Sequence, residues 1–244
     1  SHWHYKKVDK LVVLSEMMKG RLAEIPGVEA DKIAILPQAC EKLYETDIND
    51  QALSKKFQGK FNILFAGNIS PAQSFETIIS AAKQLKQDGI SDINWIIVGD
   101  GMSRKWLEEE VASAGLSEFF TFEGMKPVTD IPKYTPLANV LVGCLVRSDL
   151  LEATIPAKVM SYIAAGRPMV LAMDGEVQEL VNKQARCGFA GPAGDSQAFY
   201  ENVKKVYEMS PKEQKLMGER GRMYHFKYLE RNIILNKLYN FMFA

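Results

Sequence analysis

The sequence predicts an α/β protein built on a doubly wound, Rossmann-like parallel sheet. Three observations carry this. From Phe61 onward, short apolar runs alternate with longer helical patterns, the order that builds a parallel sheet with helices on both faces. The helix starts carry capping chemistry at the right places. A chain of 244 residues suffices for one such domain plus a fragment of another.

Taken in order, residues 10–14 read as a strand, 15–25 as a helix, Pro26-Gly27 as a turn and 32–36 as a second strand. A polar, strand-poor stretch follows to Lys60. We therefore divide the chain into the tail of a preceding domain (residues 1–36), a linker (37–60), a complete domain (61–210) and a terminal helix (211–244). In the complete domain, strands are expected at 61–66, 95–98, 119–122, 140–146 and 168–172, with a weaker one at 188–190. Helices are expected at 73–87, 103–114, 131–137, 156–165 and 176–184. Ser70-Pro71-x-Gln73 is a capping-box pattern with proline at the first helical position, and Ser210-Pro211-x-Glu213 repeats it. Asp195 sits where a cap for a helix over 197–209 belongs. Gly218 and Gly221 predict a bend in the last helix. Right-handed crossovers give the strand order 3-2-1-4-5-6 counted from Phe61.

Composition excludes several classes. Thirty basic and thirty acidic residues leave a formal net charge of zero, which argues against a dedicated nucleic-acid binder. The three cysteines, Cys40, Cys144 and Cys187, form no CxxC pair and suggest neither a disulfide framework nor a zinc site. No apolar run is long enough to span a bilayer, and we find no nucleophile–base pair and no metal-ligand cluster in the pattern.

The chemistry is expected beyond the carboxyl ends of the strands, where strand order reverses. The loops at that point are 67–73 and 147–158. The second leads into "IPAKVMSYIAAGRPMV", a short helix that stops at a glycine and runs into a buried strand. Pro156 at its start leaves the amides of Ala157, Lys158 and Val159 without intrahelical partners, and these donors with the helix dipole attract a phosphate. Lys158 adds a full charge in the same turn and Arg147 offers another. The plainer reading, in which Lys158 is a solvated lysine and Pro156 a good helix start, fits the same residues. Gly99-Asp100-Gly101 after a strand resembles part of a phosphate loop, although Asp100 or Ser103 can simply cap the next helix. Gln73 is explained by its capping box without a ligand, and Glu152 is either a catalytic carboxylate or a surface glutamate.

Ile155–Val170 resembles the "PSK…Y(M/L)A.GKP(I/V)" segment of family-4 retaining glycosyltransferases, which have the two-Rossmann (GT-B) fold. "FNILFAGNISPAQSFETIISAAKQL" is similar to the "GN.G.AQ" segment of the branch that builds bacterial surface polysaccharide and O-antigen. "WIIVGDG", "FFTFEGMKP", "CGFAGPAGD" and "MGERGRMYHFKYLERNI" follow in the family's order, and "DKLVVLSEMMKGRL" with "DKIAILPQ" looks like the end of its amino-terminal domain.

The resemblance implies the donor-binding half of a metal-independent enzyme that transfers a sugar, with retention, from a nucleotide diphosphate, UDP-linked by preference. No cofactor is implied, because the nucleotide sugar is a substrate. The acceptor, a glycan or lipid-linked sugar, would be held by a preceding domain, so this half should not catalyse transfer alone. A cytoplasmic location, with peripheral contact to the inner membrane, is the corresponding expectation. Carried over by position, Lys158 falls on the lysine of "PSK". Asn68 and Gln73 stand where many members have an arginine and a lysine against the diphosphate. Ala153 and Ser161 take the places of two glutamates, with Glu152 one residue off the first. Met125 and Lys126 lie in the loop whose backbone reads the base, and Gly67, Gly99, Asp100, Pro156 and Ala157 complete the donor-binding set. The alternative is a non-catalytic Rossmann module binding a nucleotide or a partner, supported by the departures at Asn68, Gln73 and Ser161.

Overall fold

A computed structural model describes residues 2–243. Its centre is a six-stranded, wholly parallel sheet. The strands are β3 (Phe61–Ala66), β4 (Ile93–Val98), β5 (Phe120–Gly124), β6 (Val140–Cys144), β7 (Met169–Ala172) and β8 (Gly188–Gly191), in the spatial order β5-β4-β3-β6-β7-β8. Counted from Phe61 this is the expected 3-2-1-4-5-6, with the reversal between β3 and β6. Every residue of β3 and β4 is buried, because the sheet is covered on both faces. Leu64, Ile96, Leu141 and Leu171 pack on one side against the helix Ala157–Ala165. Ile63, Phe65, Trp95, Ile97 and Val142 pack on the other against Phe75–Gln87 and Ser196–Glu208.

Ahead of the sheet, β1 (Leu11–Val13) and β2 (Ile33–Ile35) form a separate parallel pair joined through the helix Glu16–Ala23. The stretch 37–60, expected to be a strand-poor linker, carries no strand but a 3-10 turn at Lys42–Glu45 and a helix at Gln51–Lys56 capped by Asp50. The short helices His2–Lys7 and Asp149–Glu152 were not anticipated.

Two local expectations are corrected. Ser210-Pro211-x-Glu213 forms the complete capping box, but Ser70-Pro71-x-Gln73 does not. Pro71–Gln73 is an isolated 3-10 turn, and Ser74, at φ +40°, precedes the helix instead. The break expected near Gly218 and Gly221 is displaced: the helix Pro211–Tyr224 runs through both, and regular winding is lost just beyond, in a π-turn at His225–Leu229 before a final helix, Arg231–Phe243. The glycines serve contact. A Cβ on Gly218 would lie 2.1 Å from the carbonyl oxygen of Gly166, and one on Gly221 would lie 2.8 Å from the Cβ of Cys187. Arg222, one turn on, donates to the carbonyls of Ala164 (3.2 Å) and Ala165 (2.7 Å) at the end of the facing helix. No helix among the described residues is long and apolar enough to cross a membrane.

Candidate functional site

The strand ends at the reversal open into a cleft of about 370 Å³ lined by Gly67, Asn68, Gly99, Asp100, Met125, Lys126, Lys158 and Ser161 together with Tyr44, Tyr162 and apolar neighbours. The opening has a structural origin. β3 and β6 pair only at Ile63–Val140 and Leu64–Leu141 and then diverge. Tyr162 fills the gap: its hydroxyl accepts from the Ala66 amide at 3.0 Å and donates towards the Val142 carbonyl at 3.3 Å. Buried backbone groups that strand pairing would have satisfied are thereby satisfied by a side chain.

Lys158 stands in the first turn of the helix Ala157–Ala165. Its Nζ donates to Gln73 Oε1 at 2.6 Å and lies 3.9 Å from the centre of the Phe65 ring. The stem passes Gly143 and Gly67: a Cβ on Gly143 would touch Lys158 Cδ at an ordinary 3.5 Å, and one on Gly67 would approach Nζ to 3.1 Å. Burial pushes the Lys158 ammonium down to about 7, against a weaker opposing effect of Cys144. Among the described residues no carboxylate pairs with it. An ammonium held without a counter-ion, with an amide oxygen as its neutral partner, is a place for an anion. Pro156 sits at the cap position rather than inside the helix, and the Val159 amide donates to Pro156 O at 2.9 Å. The amides left for a ligand in this turn are therefore those of Ala157 and Lys158, not three.

The opposite wall is two loops in backbone contact. Gly67 N donates to Val98 O, Ile69 N to Asp100 O and Gly99 N to Gly124 O, at 2.8–2.9 Å. Gly99, at φ +142°, permits this approach: a Cβ there would lie 1.9 Å from Gly67 O. Asp100 is engaged locally, accepting from Gly101 N at 2.7 Å and pairing with Arg104 at 2.9 Å, which together hold its carboxyl below the usual range. Lys126 lies 3.8 Å from Glu123, which also binds Lys56 and the Tyr134 hydroxyl. Met125 is largely exposed at the rim.

Several expected residues lie elsewhere. Arg147 is exposed and pairs with Asp174 at 3.4 Å. Glu152 does not line the cleft; its carbonyl packs where a Cβ on Gly175 would be, at 2.1 Å. The turn that bears it is held by the amino-terminal segment, with Ser15 Oγ donating to Ala153 O at 2.5 Å and Arg21 to Asp149 O at 2.7 Å. Gln73, Pro156 and Ala157 also fall outside the lining, although Gln73 reaches it through Lys158. Sequence reasoning missed Tyr44, which comes from the 37–60 stretch and meets Ser161 through its hydroxyl; an aromatic in a polar, strand-poor segment was its only signal. It also missed a cluster of metal-ligating types, since Cys40, Glu45 and His225 converge within 4.8 Å.

Residues 47–223 match the family Glycosyl transferases group 1, and the chain belongs to it. The 2-deoxystreptamine glucosyltransferase of Streptomyces kanamyceticus is 27% identical over 212 residues, covering 84% of this chain and 53% of that protein. HepE of Anabaena, solved in complex with UDP and glucose, superposes with a TM-score of 0.81 at 15% identity, over 98% of this chain and 64% of that one. A glycosyltransferase of Rickettsia africae gives 0.82 at 16% identity, over 98% and 65%. The chain thus spans about half the length of this curated relative and under two thirds of these solved chains. The fold is that of the GT-B glycosyltransferases.

Proposed function

For this member of glycosyl transferases group 1, we propose that the cleft at the sheet reversal binds the nucleotide diphosphate sugar donor of a retaining, family-4 glycosyl transfer. The observation that carries this is Lys158: an ammonium with no counter-ion among the described residues, at a helix start, facing a cleft at the point where α/β sheets bind nucleotides. UDP is the preferred nucleotide, supported by the solved relative that holds UDP and glucose. In this reading Lys158 and the free amides of Ala157 and Lys158 stabilise the departing diphosphate, so that no divalent cation is needed for transfer. Gly67, Asn68, Gly99 and Asp100 approach the sugar and phosphates. Met125 and Lys126 flank the base, and Ser161 with Tyr44 offers hydroxyls to the ribose. Glu152 and Arg147 would join only if the 147–153 loop turns inward. The acceptor, a glycan or lipid-linked sugar of surface-polysaccharide synthesis, would be held by a preceding domain, with peripheral membrane contact there.

The test is calorimetric titration with UDP, GDP and ADP, repeated with Lys158→Ala. Saturable, UDP-preferring binding that weakens at least tenfold in the variant supports the donor site. A second reading, a nucleotide- or partner-binding module without chemistry, is favoured by the positions of Glu152 and Arg147 outside the cleft. In the complete enzyme, Lys158→Ala should abolish most transfer; partner binding that survives while no transfer is seen even in the unmodified protein selects the module.

A further inference from the structure

We propose that Cys40, Glu45 and His225 form a structural site for one divalent transition-metal ion of the zinc class, which fastens the 37–60 segment to the carboxyl-terminal helices.

The three residues come from opposite ends of the chain. His225 opens the π-turn that interrupts the terminal helices, while Cys40 and Glu45 flank the 3-10 turn Lys42–Glu45. His225 Nε2 lies 3.1 Å from Glu45 Oε1, and Cys40 Sγ lies 3.8 and 3.9 Å from the two ring nitrogens. All three ligand atoms fall within 4.8 Å of one another. Zinc bonds of about 2.3 Å to sulfur and about 2.0–2.2 Å to nitrogen and oxygen give tetrahedral edges of roughly 3.4–3.6 Å. The nitrogen–oxygen and nitrogen–sulfur distances lie within a few tenths of an ångström of those values. Sγ sits almost equidistant from the two ring nitrogens, so the Cys40 side chain must also turn towards the Nε2 side, by about 1 Å, to share an ion with it. Thiolate, imidazole and carboxylate together suit zinc, cobalt or nickel and not calcium or magnesium. The fourth position would be left for water.

A catalytic thiol does not explain the same trio. Cys40 is buried and outside the cleft, and His225 is fully buried. A bound cation would itself deprotonate the thiol. Tyr44, one residue from Glu45, lines the donor cleft, so the ion would also hold that wall in place. The ion would stand apart from the transfer chemistry, which the donor reading leaves metal-independent.

Cobalt(II) titration of the chelator-treated protein tests the site directly and needs no nucleotide. One equivalent should produce a thiolate-to-cobalt charge-transfer band, displaced by one equivalent of zinc. The band should vanish in Cys40→Ala and persist in Cys144→Ala and Cys187→Ala, and apparent affinity should fall at least tenfold in His225→Gln. If the variants fail to fold, zinc-edge X-ray absorption on the unmodified protein should show one sulfur ligand among nitrogen and oxygen. A band that survives Cys40→Ala, a zinc shell without sulfur, or no stoichiometric binding would overturn the proposal.

Discussion

The state of Lys158 makes donor affinity fall with pH in a calculable way. In the free cleft its ammonium titrates near 7, because burial disfavours the charge. A diphosphate binds the charged form and restores its proton affinity towards the ordinary lysine range. Between those two values binding takes up a proton, so the dissociation constant rises about tenfold per pH unit once pH is well above 7. Worked from the value of about 7, affinity for UDP at pH 8.5 should be roughly 16-fold weaker than at pH 7. The assay is calorimetry at both pH values in two buffers of different ionisation heat, where the difference reports proton uptake. At pH 8 the uptake should be about 0.9 proton per UDP bound. Stability runs the opposite way. The unfolded chain binds more protons at this lysine than the folded chain from about pH 7 up to the ordinary lysine range, so this group's contribution to stability improves as pH rises through that window. Weaker binding at pH 8.5 is therefore not a symptom of unfolding. In Lys158→Met the slope should disappear along with most of the affinity. A dissociation constant constant within twofold between pH 7 and 8.5, with no buffer dependence, would refute the reasoning.

Two substitutions test the scaffold. Gly218→Ala sets a methyl 2.1 Å from the Gly166 carbonyl oxygen and should cost about 2–4 kcal/mol in a urea melt; a loss under about 0.5 kcal/mol would mean the two helices can separate freely. Tyr162→Phe removes the hydroxyl between Ala66 and Val142 and should cost about 1–3 kcal/mol. Hydrogen exchange at the Ala66 amide should accelerate more than at Leu64, and equal protection in the variant would mean that another acceptor takes over.

What the sequence made legible follows from how far each feature depends on distant residues. β3 and β4 were readable because burial on both faces demands a continuous apolar run, a requirement satisfied within the strand itself. Strand order followed because handedness leaves few alternatives. The two capping patterns mark the boundary. Ser210-Pro211-x-Glu213 lies on an exposed helix start, where only local partners compete, and it forms as written. The near-identical Ser70-Pro71-x-Gln73 does not, and the Gln73 carboxamide oxygen instead accepts from a lysine 85 residues away. No window around residue 73 contains that competitor.

The same distance separates what was read of the cleft from what was missed. Lys158 was visible because proline, lysine and the helix start are adjacent in sequence. Tyr44 and the Cys40–Glu45–His225 cluster become neighbours only after residues 37–60 fold back against the terminal helices. Glu152 lies outside the cleft for a related reason: its loop is oriented by Ser15 and Arg21, more than a hundred residues earlier. The strand-poor stretch, least informative in the sequence, thus supplies Tyr44 to the cleft and two legs of the proposed metal site. It is held without joining the sheet, by packing of Cys40, Phe57, Tyr44 and Leu53 on the core and by specific polar contacts. The Arg222 pair with Asp47, at 2.6 Å, ties it to the terminal helices, and the Arg167 pair, at 2.9 Å, to the turn that precedes β7.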